Sequence, residues 1–234
     1  MRIFAISDLH LSFEADKPMD IFGPAWADHP ARIKENWERL VSQDDVVLVP
    51  GDISWAMRMI DAEKDIAFID ELPGRKIIIK GNHDYWWASL SKLKKFVPES
   101  IIPLQNTAIA FENIGIAGAR LWIDPGLNLE KTSEEDRKIW ERELLRLKQS
   151  LGALPGELDT RIIMTHFPPI SLDGSTGKAV DIASSFGCDI WVFGHMHLGD
   201  LDYDGFNRTI GMTRYEFVSA DYLKFCPKLI LEVG

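Results

Sequence analysis

Five short apolar runs, rich in Ile and Val, each break off into side chains that can bind a metal ion. Residues 3–6 lead into Ser7-Asp8-Leu9-His10, and residues 46–49 into Pro50-Gly51-Asp52. Residues 77–79 precede Gly81-Asn82-His83-Asp84, residues 162–164 precede Thr165-His166, and residues 190–193 precede Gly194-His195-Met196-His197. Runs that are apolar throughout, rather than alternating, fit strands covered on both faces. In an open α/β sheet the carboxyl ends of parallel strands share one edge, and ligand crevices form there. The five polar clusters are therefore expected to converge. They hold five of the six histidines. The sixth, His29, stands between Asp28 and Pro30 and reads as surface loop.

Helical spacing recurs between the runs. Ile33, Trp37 and Leu40 form one stripe; Met59, Ala62, Ile66 and Ile69 form a second. Trp140, Leu144, Leu147 and Leu151 form a third, behind Thr132-Ser133-Glu134-Glu135, an N-cap with acids in the first turn. Strands alternating with helices predict an α/β chain with a largely parallel sheet. Runs 107–111, 114–117, 215–219 and 229–233 are not all separated by helices, and are expected to be antiparallel strands of the same or a second sheet. No repeat, low-complexity tract or linker divides residues 1–234, which read as one domain.

Composition narrows the function classes. With 26 Lys+Arg against 36 Asp+Glu, the net charge of −10 gives no overall field to hold nucleic acid. A nuclease remains open, because bound metal can supply positive charge locally. Two cysteines, Cys188 and Cys226, are too few for a disulfide scaffold. The first run reaches an acid at Asp8, which does not suit a signal peptide, and no stretch is apolar for the ~18 residues of a membrane span. The cytoplasm is the expected compartment.

Two Asp, one Asn and up to four His form an oxygen and imidazole set without thiolate. That set suits Mn first, with Fe, Zn or Co as alternatives, better than Ca. Seven ligands are too many for one tetrahedral ion. They suit two divalent ions about 3.5–4 Å apart sharing a carboxylate, as in phosphate-ester displacement.

In this order, the blocks Asp-x-His, Gly-Asp, Gly-Asn-His-Asp, a lone His and Gly-His-x-His resemble the calcineurin-like metallophosphoesterase superfamily, from Asp8 to His197. The resemblance implies a four-layer αββα sandwich of two mixed β-sheets flanked by helices. It implies one ion on Asp8, His10, Asp52 and His197, and a second on Asp52, Asn82, His166 and His195, with Asp52 bridging. His83 would be the catalytic imidazole near the leaving oxygen, with Asp84 fixing its tautomer. Protein Ser/Thr phosphatases extend the second block with Val-Asp-Arg-Gly; here Asp52 is followed by Ile53-Ser54-Trp55-Ala56-Met57-Arg58, which argues against phosphoprotein substrates. The opening Ser-Asp-Leu-His-Leu also occurs in the pyrophosphatase of lipid A synthesis.

Trp37, Trp140 and Trp191 fall on periodic faces or within a strand and read as core. Trp55, Trp86, Trp87 and Trp122 follow strand ends or ligand blocks, and either roof the site or form a stacking wall for a base or sugar. Arg58 and Arg120 are candidate phosphate clamps by the bidentate logic of guanidinium, or else partners in surface salt bridges; Lys80 is a weaker candidate. The expected activity is hydrolysis of a small-molecule phosphate ester or nucleotide by a hydroxide bridging two metals, on a diester or a monoester. The rivals are a pyrophosphatase acting on a nucleotide-linked lipid precursor and a non-catalytic interaction module on the same fold. No stable nucleic-acid binding is expected.

Overall fold

The computed structural model describes residues 1–127, 132–197 and 203–233. In chain order these form β1 (Arg2–Ala5), α1 (His29–Leu40), β2 (Val46–Val49), α2 (Glu63–Glu71), β3 (Arg75–Ile78), α3 (Leu90–Phe96), β4 (Ile101–Pro103) and β5 (Ala108–Phe111). There follow β6 (Ile114–Ala119), α4 (Glu134–Gly152), β7 (Thr160–Thr165), α5 (Lys178–Ser184), β8 (Ile190–Phe193), β9 (Arg208–Ile210), β10 (Thr213–Phe217) and β11 (Lys228–Glu232). Two mixed sheets result, ordered β11-β1-β2-β3-β4 and β5-β6-β7-β8-β10-β9. Only β11, β5 and β9 run antiparallel to their neighbours.

The strands are apolar throughout because successive side chains leave opposite faces and both faces are covered. Ile3, Leu48, Ile77, Ile116, Ile162 and Val192 meet in a layer between the two sheets. Their chain neighbours turn outward. Phe4, Val47 and Ile78 pack with Ile33 and Trp37 of α1 and with Ile66 and Ile69 of α2. Ile163, Trp191 and Phe217 pack with Trp140, Leu144 and Leu147 of α4 and with Ala179 and Ala183 of α5. Fully burying one such side chain contributes roughly 1.5–3 kcal/mol, so each layer has a reason to hold. This is a four-layer αββα sandwich. Helix α4 starts as its sequence implies: Ser133 Oγ accepts from Asp136 N, and the Asp136 carboxylate accepts from Ser133 N, both at 3.1 Å.

Two sequence expectations are corrected. Residues 215–219 are not antiparallel to their sheet neighbour in the core, because β10 runs parallel to β8 and only the short edge strand β9 pairs with it antiparallel. His29 is not surface loop. Pro30 opens α1, and His29, 5% exposed, turns its Nδ1 to the Trp26 carbonyl at 3.1 Å and packs its ring edge-on against Trp26. Among the described residues, no helix is long and apolar enough to cross a membrane.

The loops after the parallel strands hydrogen-bond to one another across this edge. Asp8 N donates to the Gly51 carbonyl at 3.0 Å, and Gly194 N to the His166 carbonyl at 3.1 Å. Ser7 N donates to the Val218 carbonyl at 2.8 Å, which ties the end of β1 to the end of β10 in the other sheet.

Candidate metal centre

Four of the ligand candidates hold a backbone conformation that L-residues rarely adopt. Asp8, His10, Asp52 and His195 have φ of 58°, 46°, 51° and 73°. Left-handed non-glycine residues cost of order 1 kcal/mol each and persist where the surroundings over-determine them, commonly at functional sites. Glycines leave room beside them. A Cβ on Gly81 would fall on the carboxylate and amide of Asp52, and one on Gly194 would fall on Ser7 and Asp8. The Gly-Asn and Gly-His blocks need glycine for close approach.

The strand ends bring together two groups of candidate ligands, Asp8 with His10 and His197, and Asp52 with His166 and His195. Within the first, His10 Nε2 and His197 Nε2 lie 3.0 Å apart, and His197 Nε2 lies 3.9 Å from Asp8 Oδ1. Within the second, His166 Nε2 lies 3.3 Å from Asp52 Oδ2 and 3.2 Å from His195 Nδ1. Asn82 Oδ1 joins this group at 2.6 Å from His166 Nε2. The groups meet at Asp52, whose Oδ2 is also 3.8 Å from His10 Nε2. Ligand atoms about 2.1 Å from one ion stand about 3.0–3.5 Å from each other, and the contacts of His10 with His197 and of His166 with His195 and Asp52 fall in that range.

The hydrogen bonds of His166 show that the site calls for a cation. Its Nδ1 lies 3.0 Å from the Pro50 carbonyl, an acceptor that requires the proton on Nδ1. The lone pair of Nε2 would then face the oxygens of Asn82 and Asp52, a repulsive arrangement unless a proton or a metal ion stands between them. Without metal, a second proton takes that place. Burial alone would lower the His166 pKa, but the charge and oxygen of Asp52, and then Asp8, outweigh it and raise it to about 9. The imidazoles of His195 and His10 are neutral donors. Burial drops His195 to about 3 and His10 well below its ordinary value. Burial would raise Asp52, yet His166, His10 and the amide of His83 hold it far below the usual carboxylate range. Burial raises Asp8 against the pull of His166 and His197. Oxygen and neutral imidazole donors at such spacing fit divalent transition ions.

The expectation for Asp84 is corrected, whereas His83 lies beside the ligand groups as expected. Asp84 does not hold the His83 ring. Its Oδ2 accepts from Gly81 N at 2.7 Å and Asp52 N at 2.9 Å, and its Oδ1 accepts from Ile53 N, Ser54 N and Trp86 Nε1 at 2.9–3.1 Å. The carboxylate thus splices the second ligand block to the third. Burial and then the charge of Asp52 raise it to about 6. His83 donates its backbone N–H to Asp52 Oδ1 at 2.8 Å and lays its ring 4.3 Å from that of Trp55, with Nδ1 buried and without a hydrogen bond. Burial is the main cause of its lowered pKa. A cavity of about 530 Å³ opens beside it, lined by Trp55, His83, Tyr85, Met57, Lys17 and Asp61.

The substrate-contact candidates separate. Trp55 lines the cavity with one face stacked on His10 at 4.9 Å, so it is part roof, part ligand support. Trp86 is no wall for a substrate: it is 2% exposed, packed in the outer core and bound to Asp84. Arg58 commits its fork to Asp61 at 2.7 and 2.8 Å on an exposed surface. Arg120 is paired with Glu143 at 3.1 Å, largely buried, against the face of Trp122.

The parallel course of β10 delivers residues that sequence reasoning missed. Ser219 Oγ donates to Asp8 Oδ2 at 2.9 Å, and Asp221 Oδ1 stands 3.4 Å from His197 Nδ1. Burial would lower His197; Asp221 and then Asp8 reverse the sign and raise its pKa. The signal existed, since run 215–219 ends in Ser219-Ala220-Asp221 as the other runs end in ligands.

An αββα sandwich with two Asp/His groups at its strand ends defines a metal-binding phosphoesterase fold. The profile of the calcineurin-like phosphoesterase family matches residues 1–199, and the chain belongs to that family. Among solved structures, the phosphopantetheinyl hydrolase of Mycobacterium tuberculosis superposes with a TM-score of 0.62, 15% identity and coverage of 100% of this chain and 96% of that one. A protein of unknown function from Aquifex aeolicus, AQ665, gives 0.55 at 16% identity over 97% and 95%. Curated relatives match in part. The Gene 66 protein of Mycobacterium phage D29 is 35% identical over 86 residues, 36% of this chain and 40% of its own length. That of phage L5 is 32% identical over 78 residues, 33% and 37%. The chain therefore spans about two fifths of the length of these relatives.

Proposed function

We propose that the protein hydrolyses a small phosphate ester with two divalent ions held at the strand ends. Asp8, His10 and His197 would hold one ion; Asn82, His166 and His195 would hold the other; Asp52 would bridge. The observation that carries this reading is the position of Asp52 Oδ2, 3.3 Å from an imidazole of one group and 3.8 Å from an imidazole of the other. Bound there, two such ions lower the pKa of water and neutralise charge on a phosphoryl group. Manganese leads the candidates, because carboxylate, amide oxygen and imidazole are all represented.

The protein's own groups supply the rest. The amide of His83 pins Asp52 Oδ1, which leaves Oδ2 for ligation. The His83 ring lines the cavity 5.7 Å from the ring of His10, with Nδ1 uncommitted to any acceptor among the described residues. A bound phosphate dianion raises the basicity of a nearby imidazole, so His83 can take up a proton with the substrate and pass it to the leaving oxygen. The leaving group then occupies the cavity by Trp55 and Tyr85, where an aromatic or aliphatic moiety finds apolar contact.

A metal-loaded panel of bis- and mono-nitrophenyl phosphates and nucleotides tests the proposal. A pantetheine phosphodiester belongs in it, because the mycobacterial hydrolase shares the fold. Turnover that chelation abolishes and Mn restores is the expected outcome. A protein that binds two ions yet cleaves no member of the panel would leave the non-catalytic rival standing.

A further inference from the structure

A second cavity, of about 140 Å³, shares no lining residue with the one beside His83, and the hydrolytic reading does not use it. Its walls include Lys80, Gln105, Asn106, Arg120, Glu143 and Arg146. Three cations thus face one carboxylate. That carboxylate is shared through a single oxygen: Glu143 Oε1 accepts from Arg120 Nη2 at 3.1 Å and from Arg146 Nη1 at 2.7 Å. Glu143 Oε2 and Arg120 Nε are buried without hydrogen-bond partners among the described residues. Lys80 is half-buried and has no hydrogen-bond or ion-pair partner among the described residues. Buried polar groups left in this state are costly, so the cavity favours a ligand that satisfies them together.

The unmet groups are of two kinds. Lys80 and Arg120 Nε need an anionic acceptor; Glu143 Oε2 needs a donor. A tetrahedral oxyanion bearing a proton offers both. Hydrogen phosphate has this combination, whereas sulfate near neutrality has acceptors only and would set a bare oxygen against Glu143. The volume, several times the ~30 Å³ of a water molecule, suits one such group. We infer that this cavity is a binding site for free hydrogen phosphate, since a phosphate monoester loses its last proton at a pH of about 6 and near neutrality offers acceptors only. It stands apart from the two-ion reading, and each can fail without the other.

Calorimetric titration of the chelator-treated protein, with its fold checked by circular dichroism, tests the site away from any bound ion. Inorganic phosphate is expected to bind about tenfold or more tightly than sulfate. Lys80→Gln, at a half-exposed position, should weaken phosphate about tenfold or more through loss of a charge-assisted contact. Glu143→Gln should narrow the preference for phosphate over sulfate. Methyl phosphate, mostly a dianion without a proton near pH 7, should bind closer to sulfate than to inorganic phosphate, and binding equal to that of inorganic phosphate would overturn the role given to Glu143. If chelation unfolds the chain, the metal-loaded protein is titrated instead, and Lys80→Gln should remove one phosphate per chain. No phosphate binding, equal binding of sulfate, or an unchanged Lys80→Gln variant would overturn the assignment.

Discussion

His197 turns its Nδ1 toward Asp221, 3.4 Å away, while its Nε2 stands 3.0 Å from Nε2 of His10. A carboxylate behind a ligating imidazole keeps the proton on the far nitrogen, leaves the near one basic and fixes the ring's orientation. Asp221→Asn should therefore weaken binding of the ion proposed for Asp8, His10 and His197 about 10–100-fold, with little effect on the other proposed ion. Competition against a chromophoric chelator reads the two affinities. Equal affinities in variant and wild type would reduce Asp221 to a packing residue.

Asp52 lies between the two groups, so its loss should act on both. Asp52→Asn is expected to lower metal content toward one ion or fewer and to abolish turnover together. Elemental analysis after Mn loading, run beside a rate assay, checks the coupling. A variant with two ions and a near-normal rate would mean that the groups bind independently.

Much of this was legible in the chain because ligand blocks follow apolar runs. Val47 and Leu48 are both apolar because both faces of β2 are covered, and that pattern placed the central strands without any tertiary information. Ser133 and Asp136 marked the start of α4 through a local exchange of hydrogen bonds. What stayed hidden depends on strand direction and long-range contact. Run 215–219 looks the same whether parallel or antiparallel, and only the pairing of Tyr215 with Trp191 puts Asp221 beside His197. His29 looked like loop because a histidine before proline is polar in isolation; its partners, Trp26 and Phe225, come from elsewhere. The sequence pairs Asp84 with its chain neighbour His83, but three of the five donors to its carboxylate are amides about thirty residues away, the other two being Gly81 N and Trp86 Nε1.

The division of labour between His83 and Asp84 is open to test. His83→Ala should keep both ions and lose on the order of 10²–10⁴ in rate, with the loss shrinking for leaving groups that need little protonation. Asp84→Asn sets an amide NH₂ against an array of N–H donors and should cost ~3 kcal/mol, or roughly 6–12 °C in Tm for a chain of this size. Its dependence on leaving-group pKa should match wild type. A flattened dependence in Asp84→Asn with unchanged Tm would restore Asp84 to the role of orienting the imidazole.

Far from the site, Asp45 ties the start of β1 to the turn before β2. It accepts from Arg2 N at 2.9 Å and Arg2 Nη2 at 2.7 Å, and from Ser42 N and Oγ at 2.9 and 2.8 Å. Burial would raise its pKa, but Arg2 and Ser42 outweigh burial and hold it well below the usual carboxylate value. The unfolded chain then binds the proton more readily than the folded one, so stability rises with pH across that window. The contribution is complete above the unfolded value of about 3.9 and is lost as the pH falls through the folded value. Asp45→Asn should cost ~2 kcal/mol at pH 7, since charge-assisted hydrogen bonds are replaced by weaker neutral ones. Urea unfolding of both proteins in chelator at pH 7, 5 and 3 measures the difference free of metal release. The gap should be full at pH 7 and 5 and narrower at pH 3. A gap that is the same at pH 3 as at pH 7 would mean that the Asp45 carboxylate contributes shape and hydrogen bonds but no charge.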